Sequence, residues 1–565
     1  MPGTTPPPLH GPSSKEKKYD RQLRLWAASG QAALEDARVL LVNSGPGVVG
    51  IETLKNLVLP GIGHFAILDS AAISEADLGA NFFLEEDSLG ESRAEHCSRL
   101  LRELNPDVDG TCITEPIEAF TSDPNALRPY TLILATQSLG PDVLSLLSKY
   151  ASQTSTPLFY IHSVGFYSHF SLHLPEAFPI VDTHPDPAST TDLRLLTPWP
   201  ELVDIMKNKT AGLEGMSDDD HGHVPYLLLL LRYLADWRAT HEGKAPSTYK
   251  EKAEFRDLVA SGARTGGAEG TEENFEEARG AVLKSLNVPA PSSAVREVFA
   301  APECVNPTAT SSHFWIVARA VANFYEAHGV LPLPGALPDM KARSADYIAL
   351  QNVYKSKSRA DIAEVLAEVR RLEKELGCPT LADERDVESF CKNAAHIKLV
   401  RGRPFQIATD KAKIRWGDRA KVAAMSPSLS EGLLGLYIAF LAWDAFEAAQ
   451  GRPPGAPSNL ADNVEFATEA DEAIAVSHAK QIVDDLLTEA DYPMDEDERT
   501  KVDTKVAQYV GELVRAGGGE LHNVAALTGG LIAQEVIKVI TKQYIPVDNT
   551  CVFDGVTSRS EVFGV

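Results

Sequence analysis

Cysteine is scarce in this 565-residue chain, and its copies are scattered without a Cys-x-x-Cys pair. The six are Cys97, Cys112, Cys304, Cys378, Cys391 and Cys551. A disulfide scaffold needs a higher density of cysteine, and a structural zinc site usually takes its four ligands from two close pairs. The sequence therefore argues against a disulfide-built fold and against a structural zinc centre.

Basic residues and long apolar runs are also few. The chain has 53 Lys and Arg against 79 Asp and Glu, a net charge of -26, which favours basic protein partners over nucleic acid or an anionic membrane. No apolar run approaches the ~18 residues of a membrane span. Residues 1–14 are rich in Pro, Gly, Ser and Thr and predict a disordered arm instead of a signal peptide. We therefore expect a cytoplasmic or nuclear protein.

Periodicity divides the rest of the chain into three parts. Residues 15–165 alternate strands and helices, which predicts a mostly parallel sheet in an α/β domain. Residues 166–505 show mainly helical periodicity and predict helical insertion domains, after which residues 506–565 return to the α/β pattern. The predicted strands are Val39–Val42, Phe65–Leu68, Thr111–Ile113, Leu132–Ala135, Leu158–Ile161 and Thr550–Phe553.

A glycine-rich turn follows the first of these strands. Gly45, Gly47 and Gly50 form a Gly-x-Gly-x-x-Gly pattern, and Asp69 ends the next strand. This order is typical of a βαβ nucleotide-binding unit, in which the helix N-terminus favours phosphate and the acid suits a ribose hydroxyl. By itself the pattern is weak, because a tight turn in any α/β domain can produce it.

Three further segments narrow the choice: Tyr19–Leu23, Lys55–Gly63 and Gly529–Lys538. Together they resemble the activating enzymes for ubiquitin-like proteins, which have a Rossmann-like adenylation fold of the ThiF/MoeB type. These enzymes adenylate the C-terminal carboxylate of a small protein and transfer it to a cysteine. Segments 184–186, 249–252, 274–278 and 350–354 resemble the neddylation branch, whose enzymes are heterodimers of a catalytic and a regulatory subunit.

The resemblance also shows what this chain lacks. Where active members have a second acid and an arginine, it has Ala71 and Ala80, and no acid occurs in Ala135–Ser138, where a metal-holding aspartate is expected. The phosphate-contacting lysine is replaced by Arg93. Without the metal ligand and the arginine we expect no adenylation by this chain alone. Gly45, Gly47, Gly50 and Asp69 would then be vestigial, with no cofactor bound tightly here and with ATP and Mg held by the catalytic partner.

The resemblance implies a nucleophilic cysteine in a Cys-Thr-aliphatic context, and Cys378-Pro379-Thr380-Leu381 imitates it. The alternative is that Gly377 caps a helix and Pro379 stops it, which accounts for every residue there. Cys304 has no supporting motif and is predicted to be a small core residue.

Arg21 is the one catalytic candidate. In enzymes built from two such folds, the arginine of this N-terminal helix contacts ATP in the other half, so Arg21 would act in trans on the partner's nucleotide. The alternative is a surface arginine paired with Asp20 or Glu35. A partner interface is predicted around Pro338, Asp339, Met340 and Tyr347, with a plain loop leading into a core helix as the alternative.

The resemblance thus implies a regulatory subunit that is not catalytic alone, with a catalytic subunit and a Nedd-type modifier as partners, and with neither nucleic acid nor membrane. Two rival enzymes remain, a self-sufficient adenylating enzyme and a nicotinamide-dependent dehydrogenase. The first conflicts with the missing acids and arginine, and the second does not account for Arg21 or for the Gly529-Gly530 helix. The equivalent subunit of the sumoylation system is a third alternative, but it lacks so large a helical insertion.

Overall fold

A computed structural model describes residues 11, 13–186, 189–267, 270–287, 290–408, 414–456 and 468–565. The chain forms two compact units. The α/β unit comprises the described residues up to Phe178 together with Val400–Val565, and the helical unit comprises Pro179–Leu399. The predicted disordered arm lies outside the described residues except for 11, 13 and 14, and Ser14 already begins the first helix.

The N-terminal part of the α/β unit alternates strands and helices as the sequence predicts. Its elements are α1 Ser14–Lys18, α2 Asp20–Asp36, β1 Arg38–Val42, α3 Val48–Val58, β2 His64–Leu68, α4 Glu75–Leu78, α5 Arg93–Leu104, β3 Asp109–Ile113, α6 Ile117–Thr121, α7 Pro124–Leu127, β4 Leu132–Thr136, α8 Pro141–Thr154, β5 Leu158–Val164 and β6 Tyr167–His173.

Helices dominate the helical unit. The elements from its entry to its exit are β7 Phe178–Val181, α9 Pro200–Thr210, α10 Asp218–His221, α11 Tyr226–Thr240, α12 Tyr249–Ser261, β8 Thr265–Gly267, β9 Gly270–Thr271, α13 Glu273–Ser285, α14 Ser293–Ala300, α15 Pro302–Val305, α16 His313–His328, α17 Ser344–Leu376, α18 Glu384–Lys392 and β10 Ile397–Val400. Strands β7 and β10 pair with each other, as do β8 and β9.

The chain then completes the α/β unit. The remaining elements are α19 Ala420–Ala424, α20 Pro427–Ser430, α21 Leu434–Gln450, α22 Thr468–Ala490, α23 Glu496–Ala516, α24 His522–Thr541, β11 Thr550–Asp554 and β12 Arg559–Phe563. Helix α21 is buried along most of its length and forms a core with α22, α23 and the face of the sheet that carries Val164 and Tyr167.

An eight-stranded sheet in the order β12-β11-β6-β5-β4-β1-β2-β3 organises this unit. Strands β3, β2, β1, β4 and β5 run parallel, which confirms the predicted α/β fold. Strands β6, β11 and β12 pair antiparallel beyond them. All six predicted strands are present, but β6 and β12 were not predicted. Strand β6 is buried throughout although four of its seven residues are Ser or His, so its hydropathy does not reveal it.

The predicted insertion, residues 166–505, is longer than the unit that interrupts the α/β unit. The compact helical unit spans 179–399, and helices α19–α23 pack into the α/β unit. Helical periodicity indicates that a segment is a helix but not which core the helix packs against. The sequence therefore predicts that the chain re-enters the α/β unit near residue 506, whereas in the structure it does so at Val400.

Helices α3 and α24 pack closely together. A β-carbon added at Gly529 of α24 would lie 2.9 Å from backbone atoms of Glu52 and Thr53, so the glycine permits the close approach of α24 to α3. Among the described helices, only α24 is long and apolar enough to cross a membrane by length and composition. Because 61% of that window is buried in the protein, α24 has the burial of a core helix.

Candidate functional site

The glycine turn joins β1 to α3 at the carboxyl edge of the parallel strands. Gly45 and Gly47 adopt positive φ angles of 62° and 64°, which favour glycine. A β-carbon at Gly47 would collide with the side chain of Asn43, which lies buried over the turn. The predicted turn is therefore present, and a side chain of the protein itself covers it.

The strand-ending acid Asp69 is buried and bound to the protein's own groups. Arg93 donates from Nε to Asp69 Oδ2 at 2.7 Å and from a second nitrogen to Oδ1 at 3.2 Å. Asn43 donates to Oδ2 at 2.8 Å, and the N–H of Ala71 donates to Oδ1 at 2.9 Å. Each carboxylate oxygen thus already accepts two hydrogen bonds, which leaves no free lone pair for a ribose hydroxyl.

Arg93 points inward and is fully engaged. Nη1 donates to Asp77 Oδ1 at 3.0 Å, and Nη2, the nitrogen that also donates to Asp69 Oδ1, donates to the carbonyl of Gly45 at 2.8 Å. Burial by itself would lower the pKa of Arg93, but the charges of Asp69 and Asp77 raise the pKa above its usual value. The residue at the position of the phosphate-contacting lysine is therefore a charged arginine that neutralises two buried acids of its own chain.

A carboxylate occupies the N-terminus of α3. Glu520 Oε2 accepts a hydrogen bond from the N–H of Val49 at 3.1 Å, although the two residues are 471 positions apart. No side chain caps α3 at its N-cap residue Gly47, so Glu520 satisfies a donor that would otherwise lack a partner. Burial raises the pKa of Glu520 to about 7, against the lowering effect of the N–H groups of Val49 and Val48 and of the Arg93 charge.

The backbone around Glu520 is fixed to the sheet. Gly165, just beyond β5, pairs with Glu520 as an isolated β-bridge, and the N–H of Gly165 donates to the carbonyl of Gly519 at 2.8 Å. The segment that carries Glu520 is thus held at the same edge of the sheet as the glycine turn.

The place expected for a metal-holding aspartate carries a hydroxyl. Thr136 Oγ1 accepts from the N–H of Ser44 at 2.8 Å and donates to the Ser44 carbonyl at 3.1 Å, which ties the glycine turn to the end of β4. Within the described parts of the chain, no group of three or more His, Cys, Asp or Glu is arranged to hold a metal ion. The residues present do not fit a magnesium site of the expected kind.

A cavity of about 300 Å³ remains beside the glycine turn, between Gln137-Ser138 and Gly517–Gly519. None of its described lining residues is charged. Its volume is at the lower end of the range for ligand pockets, and without a cation it offers nothing to neutralise a triphosphate.

Arg21 has the opposite environment. The start of α2 is anchored by Tyr19, which is 2% exposed and accepts a hydrogen bond from Asn105 at 3.0 Å, whereas Arg21 is exposed. Asp20 pairs with Arg24 at 2.9 Å, and Glu35 pairs with Lys15 at 2.7 Å. Both proposed surface partners of Arg21 are therefore engaged elsewhere, and Arg21 has no ion pair within the described residues.

Of the two cysteine candidates, Cys378 lies in a helix cap and Cys304 lies in a buried core. Gly377 caps α17 in the left-handed region with φ 69°, and Cys378 continues the cap by donating its N–H to the Glu373 carbonyl at 3.0 Å. The capping alternative therefore describes the geometry of this segment. Cys304 is fully buried in the core of the helical unit, and burial raises its pKa to about 11, so it is a poor nucleophile at neutral pH.

The predicted interface segment lies in the helical unit. Met340 is 8% exposed and belongs to that unit's own core, against which Tyr347 packs partly buried. The side chain of Met340 is thus unavailable to a partner, because the core covers it. Asp339 is exposed, and a partner contact there stays a prediction.

The sequence of this chain is similar to those of known proteins. The ThiF family matches residues 19–564. The NEDD8-activating enzyme E1 regulatory subunit of Xenopus laevis is 36% identical over 557 residues, covering 97% of this chain and 98% of that protein. The NEDD8-activating enzyme E1 regulatory subunit AXR1 of Arabidopsis thaliana is 33% identical, covering 96% and 95%. A crystal structure of E. coli MccB is 19% identical and covers 30% of this chain and 48% of that chain, at a TM-score of 0.26.

Proposed function

Because this chain belongs to the ThiF family and, within it, to the NEDD8-activating enzyme E1 regulatory subunits, we propose that it is the regulatory, non-catalytic subunit of a heterodimer that activates a Nedd-type ubiquitin-like modifier. The pair would adenylate the C-terminal carboxylate of the modifier at the expense of ATP and pass it to a cysteine. ATP, Mg and the nucleophilic cysteine belong to the catalytic partner in this proposal, and the pair acts in the cytoplasm or nucleus.

The non-catalytic role is supported by one observation: the polar groups of the nucleotide cleft already form hydrogen bonds with one another. Asp69 accepts four hydrogen bonds from Arg93, Asn43 and Ala71, and Glu520 takes an N–H of α3 that could otherwise bind phosphate. A cleft that lacks an acid for metal and uses its one arginine internally cannot stabilise the charge that develops in adenylation.

Arg21 is the contribution that this chain makes to the chemistry of the pair. Its guanidinium is exposed on an anchored helix and carries no intramolecular ion pair among the described residues, so it is available to a second molecule. A charge-assisted bond from Arg21 to the nucleotide of the partner would stabilise phosphate charge while the modifier's carboxylate attacks.

Reconstitution tests the proposal. This chain, a catalytic subunit from the same organism and an equimolar mixture are each incubated with Mg-ATP and the modifier, and the thioester is measured on non-reducing gels. We expect thioester from the mixture, at least 100-fold less from either chain alone, and a mixture that elutes as one heterodimer.

Two results would contradict the proposal. Thioester formation by this chain alone would identify a self-sufficient enzyme. Equal activity with a SUMO-type modifier and no preference for the Nedd-type modifier would favour the sumoylation alternative.

A further inference from the structure

Glu520 lies where nucleotide-binding α/β folds accept a phosphate. The first N–H groups of a helix that follows a glycine turn point at the ligand, and the helix dipole favours negative charge there. In this chain the Glu520 carboxylate accepts from Val49 at that position. The acceptor at this helix N-terminus is thus a side chain of the protein.

Arg93 also acts on Glu520. Burial raises the pKa of the Glu520 carboxyl to about 7, and the N–H groups of Val49 and Val48 and the positive charge of Arg93 oppose that rise. Arg93 itself is fixed by Asp69, Asp77 and the Gly45 carbonyl, so it cannot turn away. The carboxylate therefore lies near a helix N-terminus and a guanidinium, the two groups that bind phosphate in proteins.

The position of Glu520 is built by the backbone. Gly517 and Gly518 adopt positive φ angles of 60° and 86°, which allow the chain to turn sharply after α23 and run beside Gly165. The chain then enters α24, which packs on α3. The same short segment thus places the carboxylate and begins the helix that supports α3.

We propose that Glu520 is an intramolecular substitute for a nucleotide phosphate. Its carboxyl group closes the vestigial cleft to nucleotides and holds the glycine turn and α3, without a ligand, in the conformation that a bound phosphate would stabilise. The inference concerns this chain alone and does not depend on the modifier or on the role of Arg21.

The test removes the carboxylate and offers an anion in its place. Full-length wild type, Glu520→Ala and Glu520→Gln are compared by thermal unfolding in 1 and 50 mM inorganic phosphate at constant ionic strength, and then with AMP. We expect Glu520→Ala to have a lower Tm and to regain at least 2 °C in phosphate through ligand linkage. The Tm of the wild type should change by less than 1 °C. Glu520→Gln keeps an acceptor and should fall between the two.

Asp497→Ala is the matched control, because Asp497 is an exposed carboxylate in the first turn of α23. It should behave like the wild type in both phosphate concentrations. If Glu520→Ala does not fold, Glu520→Gln carries the comparison. Equal phosphate dependence of the variants, the control and the wild type would overturn the proposal, as would saturable AMP binding to the wild type.

Discussion

The arginine in the nucleotide cleft and the arginine on helix α2 of the α/β unit have opposite environments. In the cleft, Arg93 is 4% exposed and every nitrogen of its guanidinium donates to the protein. On α2, Arg21 is exposed, and the acids near it in sequence pair with Lys15 and Arg24. The guanidinium of Arg93 is therefore bound within the chain, whereas the guanidinium of Arg21 is available to a second molecule.

This difference shows how a nucleotide fold can lose its own chemistry and still serve an enzyme. A polar group that is satisfied inside the chain stabilises the fold but has no further capacity for a ligand, whereas an exposed group without an ion pair can act on a second molecule.

The largest effect is expected from Arg93→Ala. The substitution leaves Asp69 and Asp77, 2% and 7% exposed, without their cation. Removing one partner of such a buried charge network costs about 3–5 kcal/mol. Chemical denaturation monitored by fluorescence should show this loss in the α/β unit. Arg99 lies on the same helix at an exposed site, and Arg99→Ala should lower the free energy of unfolding by less than about 1 kcal/mol. Equal losses in the two variants would mean that the network does not stabilise the unit.

Arg21→Ala should leave stability unchanged and slow the chemistry. Losing one charge-stabilising donor typically costs about 100-fold in rate, so ATP–pyrophosphate exchange by the heterodimer should fall by that order while the two chains still co-elute. Arg24→Ala is the matched control, because Arg24 lies one turn away and is paired with Asp20. Normal exchange in the Arg21 variant would refute the role in trans.

A third region contains two buried histidines, one of which, His162, has its Nδ1 3.5 Å from Asp444 Oδ1. His162 and His169 lie 5.6 Å apart between rings beneath α21, and none of their ring nitrogens has a hydrogen bond within the described residues. Burial lowers the pKa of His169 to about 3. Below about pH 6.5 the unfolded chain therefore binds a proton that the folded chain does not, and stability is lost as the pH falls.

His169→Gln removes this titration. Between pH 7.5 and pH 5.5 the variant should lose about 1 kcal/mol less unfolding free energy than the wild type. Asp444, whose pKa is raised by burial, contributes in the opposite direction, but it is present in both proteins and cancels in the difference. His313→Gln, at an exposed site, should follow the wild type. A loss in the His169 variant as large as that of the wild type would contradict the account.

The smallest effect is expected from Cys378→Ser. The residue takes part in a helix cap, so thioester formation by the heterodimer should change by less than about twofold. Cys112→Ser, at an exposed strand position, serves as the control. A loss of transfer in the Cys378 variant alone would restore the catalytic interpretation.

The sequence predicted the parallel strands and the glycine turn, because each follows from local residue types. It did not predict that Asp69 would be closed off by Arg93 and Asn43, since pairing between side chains that are 24 and 26 positions away depends on the folded turn. Glu520 was missed altogether. The only local signal was the run Gly517-Gly518-Gly519 before it, and contact with Val49 over 471 positions has no local pattern.

The stoichiometry of nucleotide binding tests the central claim most directly. Equilibrium dialysis of Mg-ATP against the isolated chain and against the reconstituted heterodimer, with the modifier absent, counts the sites. We expect no saturable binding to the chain alone and one ATP per heterodimer. Two ATP molecules per heterodimer, or one on the isolated chain, would contradict the central claim.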